Sequence, residues 1–170
     1  IRGGGVDYFT HSLTIGAKAE ADTWDGDVRV QEAGYFTDLM GKHGVDEIRR
    51  LASSPAPFLL SLHFTAPHWP WEGPGDQAVS AALTDAQHHD GGTIDTYRKM
   101  IESLDANIAK VLVALQGSGQ ARNTVVIFTS DNGPSPNADF DQLAQVGHDP
   151  SYIFRGHKAD IFEGGHRIPF

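Results

Sequence analysis

Four residues in this 170-residue chain have the type and setting for chemistry. They are Asp131 and Asn132 in "TVVIFTSDNGPSP", His68 in "TAPHWPW" and Lys158 in "FRGHKADIFEGGHRIP". A carboxylate beside an amide carbonyl on a stiff turn offers two hard oxygen donors, the ligand type that Ca2+ and Mg2+ take. The same dipeptide followed by Gly133 is also an ordinary turn signal, because Asn-Gly supplies the positive φ that tight turns need. The residues alone leave both readings open. His68, fixed among prolines and tryptophans, suits a proton donor or a contact to an anionic group; a surface His in an ordered loop is the plainer reading. Trp69 and Trp71 read as packing residues or pocket walls. Lys158 sits between a Gly and a Gly-Gly pair and suits a point charge on an anionic oxygen, although a lone Lys is usually solvated. Arg155 and Arg167 carry the same two readings, with Glu163 and Asp160 as structural partners.

Other chemistries find less support. His148, His157 and His166 lack the regular spacing of a zinc site, and His88-His89 read as loop. No GxSxG elbow, GxxxxGK[ST] loop or GxGxxG turn occurs, and "RGGGVD" reads as a turn. The chain has no Cys, so it holds neither a disulfide framework nor a thiolate metal site. With 13 Lys+Arg against 22 Asp+Glu, the net charge of -9 repels phosphate backbones and argues against a nucleic-acid partner. No apolar run approaches membrane-spanning length, so no membrane partner is expected.

The elements that must position these groups follow from periodicity. "AGYFTDLMGKHGVDEIRRLASS" predicts a helix with Phe36, Leu39, Met40, Ile48 and Leu51 near one face, Thr37 as its N-cap and Gly44 as a weak point. "PFLLSLHF" (57–64) and "NTVVIFTS" predict buried strands. Between them, "TIDTYRKMIESLDANIAKVLVALQGSG" predicts a long helix through Tyr97, Ile101, Leu104, Ile108, Val111, Leu112 and Leu115, with Gly117 as its C-cap. "VDYFTHSLTI" has room for a short strand, "EADTWDGDV" carries an Asp-Gly turn, and the tail from Tyr152 reads as loop. Strand, helix and strand in this order predict an α/β fold with a mostly parallel central sheet flanked by helices. Ligand sites in such folds lie outside the carboxyl ends of strands, where "TAPHWPW" and "SDNGPSP" both fall.

Taken together, four stretches resemble the sulfatase family, the formylglycine-dependent sulfuric ester hydrolases of the alkaline phosphatase superfamily. They are "GGGVDYFTH", "AGYFTDLMGKHGVDEI", "PFLLSLHFTAPHWPW", and "TVVIFTSDNGP" followed by "RGHKADIFEGGHRIPF". The resemblance implies an alkaline phosphatase-like fold and a sulfate ester substrate, either a small molecule or a glycan. It implies that Asp131 and Asn132 ligate a divalent cation, usually Ca2+ with Mg2+ as the other option. It implies that His68 contacts the ester and assists the leaving group, and that Lys158 binds a sulfate oxygen. Gly164, Gly165, Arg167 and Pro169 match a structural loop, and His11 lies in a segment near the family's substrate entrance. The family's formylglycine arises from Cys or Ser in a Cys/Ser-x-Pro-x-Arg signature, and neither form occurs here. The early Asp-Asp pair and a Gly-Lys-x-His segment are also missing. The chain is therefore expected to be a middle portion, residues 1–170, of a single catalytic domain that has no turnover alone. An extracytoplasmic compartment (periplasmic, secreted or lysosome-like) is the family expectation. The competing readings are a phosphatase or phosphodiesterase of the same superfamily and a truncated, non-catalytic fragment.

Overall fold

The Asp-Gly signal in "TWDGDV" closes a short hairpin, in which β3 (Trp24–Asp25) pairs antiparallel with β4 (Val28–Arg29). Gly26 takes φ +58 at the turn, a conformation other residues adopt with strain. Before it, β1 (Ser12–Ile15) pairs antiparallel with β2 (Lys18–Ala21). The computed structural model describes residues 7–15, 18–82 and 92–170. His88 and His89, and the Gly cluster of "RGGG", lie outside the described residues. The chain divides into two compact units, Ile1–Asn123 and Thr124–Phe170.

In the first unit, helix α1 spans Phe36–Ala52 and helix α3 spans Ile94–Gly117, with a single turn, α2, at Gln77–Ser80 between them. Helix α1 starts one residue before the expected cap. Tyr8 O accepts the Phe36 N–H at 2.8 Å, so a distant carbonyl satisfies the helix's first donor. Thr37 therefore lies inside the helix and is buried, and Tyr35 is the N-cap, without a side-chain cap bond. Asp38 in the first turn and Arg49 and Arg50 in the last complement the helix dipole.

The two long helices pack against each other at a seam that requires glycine. A β-carbon at Gly41 would lie 2.7 Å from Asn107 Cγ, and one at Gly44 would lie 2.8 Å from Leu62 Cδ1 and 3.0 Å from Val111 Cγ2. Gly44 is thus a packing requirement rather than a weak point. On α3 the inward stripe runs through the buried Met100, Asn107 and Leu115 and the half-buried Leu104 and Val111, while Ile101 and Leu112 face outward. The stripe is rotated from the expected one because Asn107, a polar residue, occupies its centre. Its Nδ2 donates to Asp38 Oδ1 at 2.7 Å and to Ser103 O at 2.9 Å, and Lys110 donates to its Oδ1 at 3.1 Å. A buried amide with its bonds made costs little and fixes the register of the seam. Met100 and Ile48 complete the apolar part, each worth about 1.5–3 kcal/mol on burial. Helix α3 runs through Gly117 to a C-cap at Ser118, and Gly119 rather than Gly117 takes the positive φ. At its start, Thr93 caps the helix by accepting the Thr96 N–H.

The two apolar runs expected as buried strands differ from expectation. Residues 57–65 and 124–130 are assigned neither helix nor strand, and neither run belongs to a sheet among the described residues. Leu59 is 93 % exposed and Val125 86 % exposed. The sheets that are described are the two antiparallel pairs, so a mostly parallel central sheet is not seen among the described residues. β-type sequence favours an extended backbone, but a strand needs a ladder partner, and none of the described segments supplies one.

The second unit holds helix α4 (Phe140–Gln145), capped by Asp139 accepting the Gln142 N–H, with Leu143 buried beneath it. A one-turn helix, α5, spans Glu163–His166 within the expected loop. No helix among the described residues is long and apolar enough to cross a membrane.

Candidate active site

His68 stands on the loop that follows residues 57–65. Its N–H donates to Thr65 O at 2.8 Å, which turns the chain. Its ring is exposed, and Nδ1 lies 2.6 Å from Trp69 O. A carbonyl only accepts, so Nδ1 carries the proton. Nε2 then bears a lone pair in the neutral ring and a proton in the cation. Proton donation to a leaving group at Nε2 therefore requires the imidazolium. Behind His68, Trp69 packs on Trp71 with ring centroids 5.2 Å apart, and the buried Trp71 packs on Tyr97 at 5.0 Å. These tryptophans are the packing base of the loop.

Two tyrosines hold this loop at both ends. Tyr8 Oη donates to His68 O at 3.0 Å, and Tyr35 Oη donates to Glu72 O at 2.7 Å. Their rings are stacked, 5.4 Å apart at 22°. Burial pushes both phenols above their ordinary pKa, so they stay protonated donors. The Tyr8 N–H also donates to Glu72 Oε2 at 2.9 Å. Glu72 and Asp7 are both buried and hydrogen-bonded to each other, and Ser80 Oγ reaches Asp7 Oδ2 at 3.3 Å. Burial, reinforced by the neighbouring Asp7 charge, raises the pKa of Glu72. Burial would raise Asp7 too, but the N–H groups of Thr10 and Phe9, at 2.6 and 2.9 Å from Oδ1, outweigh it and hold Asp7 below the usual range. The two neighbouring carboxyls are thus pushed in opposite directions, Glu72 up and Asp7 down.

The second unit brings Asp131, Asn132 and Lys158 onto one interlocked set of loops. Gly133 N donates to Gly165 O at 2.9 Å, and Lys158 N donates to Pro134 O at 2.8 Å. Gly164 N donates to Arg155 O at 2.8 Å. A β-carbon at Gly133 would overlap the Gly164 carbonyl, one at Gly164 would lie 2.8 Å from Arg155 O, and one at Gly165 would lie 2.7 Å from His157 O. Bare backbones are what let the Lys loop lie against the Asp-Asn turn. Thr129 Oγ1 donates to Pro169 O at 2.7 Å and closes the same junction. The arginines are structural: Arg167 pairs with Glu163, and Arg155 stacks on Phe162 at 3.7 Å. His157 lies beside Asp160 at 3.5 Å.

The donor set at 131–132 fits a hard cation in type. Asp131 is exposed, and Asn132 Nδ2 is turned to Gly133 O at 2.7 Å, which leaves the amide oxygen as the available ligand atom. Two oxygens are fewer than the six to eight that Ca2+ takes. Among the described residues no group of three or more His, Cys, Asp or Glu could hold a metal. His11 is buried, with Nε2 2.9 Å from Gly34 O and its ring against Phe36 at 5.3 Å. It clips the first turn to the start of α1 rather than facing a substrate.

Sequence reasoning placed His68, Lys158, Asp131 and Asn132 but assigned no role to Tyr8, Tyr35, Asp7 or Glu72. The signal available was the pair of motif tyrosines and a Glu in a proline-rich loop, a residue type seldom buried without a partner.

Comparison with known proteins places the chain in a class. The sulfatase family model matches residues 2–170, and the chain belongs to that family. It is 31 % identical to the uncharacterized sulfatase YdeN of Escherichia coli over 132 residues, covering 76 % of this chain and 23 % of that protein. Over 80 residues it is 38 % identical to an N-acetylgalactosamine-6-O-sulfatase of Bacteroides thetaiotaomicron, covering 45 % of this chain and 16 % of the relative. The crystal structure of Ps i-CgsB superposes with a TM-score of 0.63 at 26 % identity, over 85 % of this chain and 29 % of the other. A second structure of that protein, in complex with k-i-k-neocarrahexaose, gives 0.62. The chain thus spans less than a third of the length of each of these relatives.

Proposed function

We propose that this chain supplies the leaving-group side and part of the cation site of a sulfuric ester hydrolase acting on sulfated saccharides. The observation that carries the reading is the glycine junction, which sets the Lys158 loop against the Asp131-Asn132 turn. A lysine on a loop whose backbone is bonded to a turn carrying two hard oxygen donors suits an anionic ester bound next to a divalent cation. The saccharide follows from two relatives, one named for N-acetylgalactosamine 6-O-sulfate and the other crystallised with a neocarrahexaose. The residues fit their roles as follows. Asp131 and Asn132 would hold Ca2+ or Mg2+ together with further oxygen ligands. Bound there, the cation supplies Lewis-acid charge against the sulfate oxygens. Lys158 places a point charge on a sulfate oxygen. His68, as the imidazolium, gives its Nε2 proton to the departing alcohol oxygen, which a sugar alkoxide needs more than an acidic phenol does. The nucleophile, a formylglycine, is not a residue of this chain, which has neither Cys nor Ser-x-Pro-x-Arg.

We also infer that residues 57–64 and 124–130 become strands of the mostly parallel, alkaline phosphatase-like sheet in the intact catalytic domain. Their strand-like sequences and the exposed Leu59, Val125, Ile127 and Phe128 support that role. The test is sulfate release from a sulfated oligosaccharide by the intact enzyme, against the matched phosphate ester. Sulfate release with little phosphate release is expected; faster phosphate release would overturn the reading.

A further inference from the structure

We propose that Tyr8 is a positioning residue for His68, and that Tyr35 holds the other end of the same loop. The inference rests on the reading of His68 as the proton donor and concerns how its ring is held. Residues 68–72 form a short loop whose first and last carbonyls each accept a phenol O–H, at 3.0 Å from Tyr8 and 2.7 Å from Tyr35. Tyr8 touches both ends: its hydroxyl binds the His68 carbonyl and its own N–H binds the Glu72 carboxyl at 2.9 Å.

The clamp is rigid for physical reasons. Tyr8 is fully buried, stacked on Tyr35, and a phenol ring has only two side-chain torsions to lose. Beneath it, Asp7 accepts the Phe9 and Thr10 N–H groups and Glu72 accepts the Tyr8 N–H, which anchors the turn at 7–10 to the loop. The His68 ring takes its orientation from the bond between Nδ1 and Trp69 O. That acceptor lies one peptide beyond the carbonyl that Tyr8 holds. A shift of the 68–69 peptide therefore swings Nε2, and displacements near 1 Å are costly to proton transfer. The clamp also accounts for two tyrosines that the chemistry left unassigned, Tyr8 in "VDYFTH" and Tyr35 in "AGYFTD".

The experiment is a double-mutant cycle in the intact enzyme, with turnover of a sulfated oligosaccharide as the readout. Tyr8→Phe removes one oxygen and keeps the ring. It is expected to lower kcat about tenfold with KM within about twofold, the signature of a lost transition-state interaction. His68→Ala is expected to lower kcat by about a hundredfold or more. In the His68→Ala background, Tyr8→Phe should cost nothing further. An equal loss in both backgrounds, or an unchanged kcat for Tyr8→Phe, would overturn the positioning role while leaving His68 as the donor. An unchanged kcat for His68→Ala would overturn both. Should Tyr8→Phe fail to fold, Tyr35→Phe carries the same test from the Glu72 end, with a kcat loss expected only where His68 is present.

Discussion

Gly133 and Gly165 are joined by a backbone hydrogen bond of 2.9 Å, and Gly164, beside it, leaves no room for a side chain at 133. The Asp-Asn turn and the Lys loop are therefore held together largely through main chain, with the Thr129 hydroxyl closing the same junction. Gly133→Ala is expected to destabilise this junction by about 1–3 kcal/mol, because the obstruction is backbone and cannot rotate away. Thermal unfolding should show the loss, and turnover should fall with it. A variant as stable and active as the parent would show that the junction is not tight.

Lys158→Ala in the intact enzyme is expected to lower kcat/KM about 100- to 1000-fold, the scale of losing one charged or hydrogen-bonding stabiliser. Lys158→Arg should recover part of it, since the charge returns with a different shape. Steady-state kinetics decide the point, and a value within about twofold of the parent would make Lys158 an ordinary solvated residue.

Asp131→Ala and Asn132→Ala should each weaken the response of the intact enzyme to added Ca2+. A bound cation stabilises the folded state by mass action, so chelation should lower the parent's melting temperature and lower the variants' less. Melting curves with and without chelator test this directly. Equal shifts in all three proteins would remove both residues from the ligand set.

The Asp7–Glu72 pair gives stability a dependence on pH whose sign is fixed. Glu72 is raised above its ordinary 4.5, so its contribution is fully present below that value and is lost as pH rises through the raised pKa. Asp7 runs the other way: lowered below 3.8, its contribution is present above that value and lost as pH falls. Glu72→Gln keeps a neutral group that can donate to Asp7 and accept from Tyr8. It should flatten the decline in stability above about pH 4.5 while leaving the acid limb in place. Melting temperature against pH is the measurement, and an unchanged upper limb would show that Glu72 is not the group behind it.

Much of this could be read from local pattern. The 3.6-residue period located α1 and α3, and Asp-Gly located the β3–β4 turn. The errors trace to partners far away in sequence. Helix α1 begins at Phe36 because Tyr8 supplies a carbonyl, and the α3 stripe is rotated because Asn107 binds Asp38. The four residues expected to do chemistry stand on loops, as the motifs indicated. The clamp around His68 was not legible, since its hydrogen bonds join positions 37 to 64 apart. Hydropathy marks 57–64 and 124–130 as strand-like but cannot name the strands that would pair with them.

The run Thr124–Thr129, "TVVIFT", has one further consequence. It carries no charge, glycine or proline, and Val125, Val126, Ile127 and Phe128 expose their apolar side chains to water. Such a six-residue stretch is a template for cross-β stacking. Expressed alone, these 170 residues are expected to form thioflavin-positive aggregates that a lysine in place of Ile127 would suppress. During synthesis, the same stretch is where a holdase chaperone would be needed first.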